Sequence, residues 1–85
     1  MLAGLITVTT AGTQIQAPDL VGYLWAIKAH PDNTDTIWVG DFNASSTTAY
    51  PLDPGESILI KTTKLADVWV DADVSGEKAC YIQVI

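Results

Sequence analysis

Pro51-Leu52-Asp53-Pro54-Gly55-Glu56-Ser57-Ile58-Leu59-Ile60 couples a tight turn to a strand, and the rest of the chain can be arranged around it. Proline presets φ at about −65° in the second position of a turn, and glycine accepts a positive φ in the third without steric conflict. Asp53-Pro54-Gly55-Glu56 therefore predicts a type II turn. After it, Ile58 and Ile60 point one way and Ser57, Leu59 and Lys61 the other, the two-residue period of a half-buried strand. Before it, Thr36-Ile37-Trp38-Val39-Gly40 is a second short apolar run. The middle of the protein thus reads as strand, loop, turn, strand.

The same alternation continues outward in both directions. Toward the N-terminus, Ile6 and Val8 share one face of a strand over residues 2–10 with Thr7 and Thr9 opposite. Gly12 turns the chain, Ile15 points inward from a short strand over residues 13–17, and Pro18 ends it by removing a donor. Residues 21–30 lack helix caps and are rich in aromatic and β-branched side chains, which predicts a central strand. Its faces are Val21, Tyr23, Trp25, Ile27 and Ala29 on one side and Leu24, Ala26 and Lys28 on the other. Pro31-Asp32-Asn33-Thr34-Asp35 is a dense turn signal, so a hairpin from residues 21–30 to residues 36–40 is expected.

The loop over residues 41–50 is small and polar and belongs on the surface. Toward the C-terminus, Val68, Val70, Ala72 and Val74 alternate with Asp67, Trp69, Asp71 and Asp73. Ser75-Gly76-Glu77 then turns into a last strand with Cys80, Ile82 and Val84 on the inner face and Tyr81 and Gln83 outside. Short strands at roughly ten-residue spacing, with no helical period, predict one all-β domain over residues 1–85. The expected architecture is an antiparallel β-sandwich or jelly roll of six to seven strands.

Composition narrows the function. A domain of 85 residues buries only about 60 to 65% of its unfolded surface, and such domains lean on disulfides, metals or association. One cysteine excludes an intrachain disulfide, and one histidine with no cysteine cluster argues against a zinc site. Apolar residues make up 48% of the chain and mean hydropathy is +0.24, so a surplus of apolar surface is left for another subunit. A net charge of −6 repels nucleic acid and anionic lipid. The apolar N-terminal run lacks the basic segment of a signal peptide and is broken by threonines, so it reads as a strand. No stretch approaches the ~20 apolar residues of a membrane-spanning helix.

Candidate chemistry is sparse. His30, beside Pro31 at a strand end, reads as a turn residue rather than a catalytic base. Asp67, Asp71 and Asp73 lie about 7 Å apart per step along one strand face. Calcium binding and glycoside hydrolysis are both weaker readings of that row than a solvated face. Cys80 reads as a small core residue. No catalytic, cofactor-binding or metal-binding residue is assigned.

Large aromatics on an outer face carry more information. Trp69 sits between carboxylates, and Trp38 is out of phase with Ile37 and Val39. The first reading is a subunit or partner interface; a sugar platform and burial beneath the loop over residues 41–50 are the others. Trp38, Trp69, Tyr81, Leu24 and Leu59 are the candidate interface residues.

The order of signals is Ile37-Trp38-Val39-Gly40, a Ser/Thr loop, Leu52-Asp53-Pro54-Gly55-Glu56-Ser57-Ile58, Leu65-Ala66-Asp67-Val68-Trp69-Val70, and a closing strand. It resembles small virion structural proteins of tailed bacteriophages. The resemblance covers about residues 21–85. It implies a capsid decoration or head protein at the capsid surface, homotrimeric, bound to the major capsid protein, with no catalytic residues to carry over. This chain departs from the pattern at Trp38 and Trp69, where such proteins often place tyrosine, and in a shorter N-terminal arm. The alternative is a tail- or fibre-associated module that binds a host glycan through Trp38 or Trp69.

Overall fold

The alternating pattern produces eight strands in the computed structural model, which describes residues 1–85. They are β1 (Ala3–Val8), β2 (Ile15–Gln16), β3 (Leu24–Ala29), β4 (Ile37–Gly40), β5 (Tyr50–Leu52), β6 (Ser57–Lys61), β7 (Trp69–Ala72) and β8 (Glu77–Gln83). The only helical element is one 3-10 turn over Leu65–Asp67. The chain is all-β, as expected. It has one strand more than the upper expectation, because Tyr50-Pro51-Leu52 pairs with β4 instead of belonging wholly to loop and turn.

The strands form two antiparallel four-stranded sheets: sheet A in the order β1-β8-β3-β6 and sheet B in the order β2-β7-β4-β5. The pairing is nested. β4 pairs with β5, β3 with β6, β2 with β7 and β1 with β8. Every connection except β4 to β5 therefore crosses between sheets.

The expected hairpin of residues 21–30 with residues 36–40 does not form. β3 lies in sheet A between β8 and β6, and β4 lies in sheet B between β7 and β5. Each carries an apolar row, Trp25, Ile27 and Ala29 on β3 and Ile37 and Val39 on β4. Placing the rows in opposite layers buries one against the other, and the intervening turn bridges the ~10 Å between packed sheets. β3 does hold a middle position, but it starts at Leu24; Val21 and Tyr23 are exposed.

One core of 14 buried residues draws on both sheets. Trp25 lies at its heart, fully buried, with its ring centroid 6.2 Å from that of Tyr81. The Pro54-Gly55 turn forms as read: Gly55 has φ 87°, and the Glu56 amide donates to the Asp53 carbonyl at 2.9 Å. It carries the chain from sheet B to sheet A.

Two facings need correction. On β8 the inward residues are Ala79, which is buried, and Tyr81, which packs against the core; Cys80 is half-buried, and Ile82 and Val84 are exposed outside. The parity is set by Glu77 at the strand's start. Its buried carboxylate accepts from the Thr34 amide at 2.8 Å, the Thr34 hydroxyl at 3.1 Å and the Asp35 amide at 2.8 Å. On β7, Val68, Val70 and Ala72 are buried as expected, but the strand stops at Ala72 and Val74 is exposed. Asp71 is not a solvated face residue. It is buried, and its Oδ1 accepts from the Gly12 amide at 3.1 Å and the Ala72 amide at 2.8 Å.

Candidate interaction surface

Because the inner faces of β1, β8, β3 and β6 are filled by core side chains, their alternate residues must stand on the outside of sheet A. Register joins these into rows. Ala3, Ile82, Ala26 and Leu59 face each other across all four strands without a polar side chain. The next row is Leu5, Cys80, Lys28 and Ser57. Leu24 pairs with Lys61 on one side of them and Thr7 with Lys78 on the other.

Much of this aliphatic surface is open. Leu59 is 65% exposed, Leu5 54% and Ile82 40%. At the sheet spacing of about 4.8 Å and ~3.4 Å per residue, the face measures about 20 Å on a side, roughly 400 Å². The whole face, its lysines included, is about the size of the largest apolar patch on a typical soluble monomer, a patch that is often functional.

Of the candidate interface residues, Leu24 and Leu59 lie on this face. Tyr81 does not: its hydroxyl and ring lie where a Cβ on Gly4 would stand, and it packs with Trp25 inside. Trp38 and Trp69 belong to the outer face of sheet B. Trp38 is opposite Asp71 and Trp69 opposite Gly40, and both are half-buried.

The loop over residues 41–49 supplies part of the cover there. Ala44 is buried, contrary to the expectation that the loop has too little apolar content for the interior. A Cβ on Gly40 would meet Ala49 at 3.3 Å and Ala44 at 3.7 Å. The Gln14 side chain also ties the β1–β2 segment to this loop by donating to the Phe42 carbonyl. Trp38 Nε1 is enclosed with no hydrogen-bond partner, so this edge of the ring is not presented to solvent. Glycine at 40 and the small residues at 44 and 49 were the signal for such close packing.

The remaining candidates separate in space. Asp67 falls on the 3-10 turn, where its Oδ2 accepts from the Thr62 hydroxyl at 3.3 Å; Asp71 is buried and Asp73 exposed. The carboxylate row therefore does not exist as a row. His30 serves its turn, its Nδ1 accepting from the Asp32 amide at 3.1 Å. Cys80 is a free, half-buried thiol on the outward side of sheet A, not a core residue. The surface has no pocket, and no group of three or more His, Cys, Asp or Glu residues is placed to hold a metal ion.

Sequence reasoning missed the continuity of the sheet A face because it turned Ile82 and Val84 inward. The legible signal was Leu24, Ala26 and Leu59, apolar residues on the outward side of two strands. No family model, curated protein or solved structure matches this chain.

Proposed function

We propose that this chain is a non-enzymatic structural protein of a virion, a decoration protein that binds the major capsid protein of a phage head and stabilises the shell. The observation that carries the reading is the open aliphatic face of sheet A, with Leu5, Leu59 and Ile82 exposed on one flat side of an 85-residue domain. Exposed apolar area of this kind is stabilised when a partner removes it from water, at roughly 25 cal/mol per Å².

Architecture adds an analogy. The nested strand order is read as a jelly roll, an arrangement used by viral capsid domains and also by lectins. Fold analogy alone does not assign function; together with the resemblance of residues 21–85 to phage virion proteins it favours the shell over the sugar.

The test is a pull-down on expanded, empty phage heads beside a glycan array. Binding that depends on the assembled shell, and that is lost in Leu59→Ser, supports the reading. Binding to free saccharide that is lost in Trp38→Ala or Trp69→Ala, with no retention on heads, overturns it.

A further inference from the structure

Charge on this molecule is segregated. Lys28, Lys61 and Lys78 all stand on the outward side of sheet A, and no aspartate or glutamate lies among the register positions of that face. The chain has four basic residues and ten acidic ones. Removing the three lysines of the face leaves one lysine against ten carboxylates, −9, on all the remaining surface and interior. The face is thus an apolar patch with a positive charge pattern on a strongly acidic protein.

A two-fold pairing of this face with itself would bring Lys28, Lys61 and Lys78 against the same three lysines, with no carboxylate on either side to neutralise them. Like charges set opposite one another oppose association. The complementary surface is elsewhere on the same chain. The β3–β4 and β5–β6 turns are held together at one end of the molecule, the Gly55 amide donating to the Ala29 carbonyl at 3.0 Å and the Thr36 hydroxyl to Asp53 Oδ1 at 3.2 Å. Together they expose Asp32, Asp35, Asp53 and Glu56, with Pro31 and Pro54 as apolar surface between them.

We propose that the outward face of sheet A is the docking site for a second copy of this chain, which presents its acidic turn end rather than its own sheet A. The inference rests on the reading of that face as a protein-contact surface and makes the second copy its occupant, so that the assembled ring meets a shell with its remaining surface and Leu59→Ser loses head binding by dissociating the ring. Two different patches in contact make a heterologous interface, which repeats from copy to copy and closes into a ring where the rotation allows. Every copy in the ring contributes both its face and its turn end. With roughly 400 Å² from the face of one copy and a matching area from the turn end of the next, each contact buries about 800 Å² in total, the scale of a weak interface, and a closed ring gives every copy two of them.

The experiment is a charge exchange read by size-exclusion chromatography with light scattering, with circular dichroism melting to confirm that each variant is folded. One variant carries Lys28→Glu, Lys61→Glu and Lys78→Glu; the other carries Asp32→Lys and Glu56→Lys. The unmodified protein should run as a discrete oligomer whose apparent Kd rises at least about tenfold between ~0.05 and ~0.5 M NaCl, as screening of complementary charge requires. Each variant alone should fall to the 9.1 kDa monomer, and an equimolar mixture of the two should associate again.

An unmodified protein that is monomeric at low salt overturns the inference, as does an oligomer indifferent to the lysine changes or to salt. Should the lysine variant not fold, the salt titration of the unmodified protein decides alone. A monomer that binds phosphatidylserine-containing vesicles through the three lysines assigns the face to lipid and overturns the inference. A monomer that still binds phage heads and loses that binding in Leu59→Ser overturns the inference and leaves the proposed function standing.

Discussion

Glu77→Ala should unfold the molecule more easily than any other single change to a charged side chain. The carboxylate is buried at the start of β8, and one oxygen, Oε1, accepts from two amides and a hydroxyl of the β3–β4 turn at 2.8, 2.8 and 3.1 Å. Hydrogen bonds to a charged group contribute about 1.5 to 3 kcal/mol each. Three would sum to ~5 to 9 kcal/mol, but Thr34 and Asp35 are exposed, and water replaces much of what their donors lose. The truncated site therefore costs about 2 to 3 kcal/mol. Glu77→Gln keeps an acceptor oxygen in place without the charge, so about 1 kcal/mol is expected. Urea unfolding followed by tryptophan fluorescence, extrapolated linearly to water, measures both. An Ala variant within ~0.5 kcal/mol of the unmodified protein, or a Gln variant as damaging as Ala, would refute the argument that these hydrogen bonds dock the turn.

Other changes should rank by burial. Trp25→Ala empties the centre of the core and should lose about 3 to 5 kcal/mol, enough to leave the chain largely unfolded by circular dichroism. Trp69→Ala, which removes a half-buried ring on the outer face of sheet B, should cost about 1 to 2 kcal/mol in the same urea experiment; a loss as large as that of Trp25→Ala would place the ring in the core. Gly55→Ala meets nothing within 4 Å but keeps φ at 87°, so the strain is purely conformational, about 1 kcal/mol on thermal unfolding.

What the sequence disclosed follows from which strands had one polar side. On β1 and β6 threonine, serine and lysine mark one side, and the sequence groups Ile6 with Val8, Ile58 with Ile60 and Val68 with Val70 on single faces that do pack into or against the core. β8 has Ala79 and Tyr81 on one side and Cys80 and Ile82 on the other, so alternation had no contrast to work with. The facing is decided instead by Glu77 meeting a turn more than forty positions away. Alternation is equally silent on pairing: it shows that Ile37 and Val39 are buried, not that β4 lies beside β7 and β5. Asp71 looked solvated because the amide of Gly12 that covers it comes from the other end of the sequence. The candidate surface was half legible, through Leu24 and Leu59. Its completion needed the four-strand register.

The nested pairing also dictates when this molecule can fold. Ala3 finds its partner in Ile82, so β1 has no place to pair until β8 has left the ribosome. The first pair that can close is β4 with β5, the only connection that stays within one sheet. Architectures dominated by such distant pairings fold in milliseconds to seconds rather than microseconds. During that interval the apolar strands β1 and β3 are unpaired, a state in which strands of this kind join those of other chains. Synthesis at lower temperature or slower rate should therefore raise the soluble yield more than any change that strengthens the finished fold.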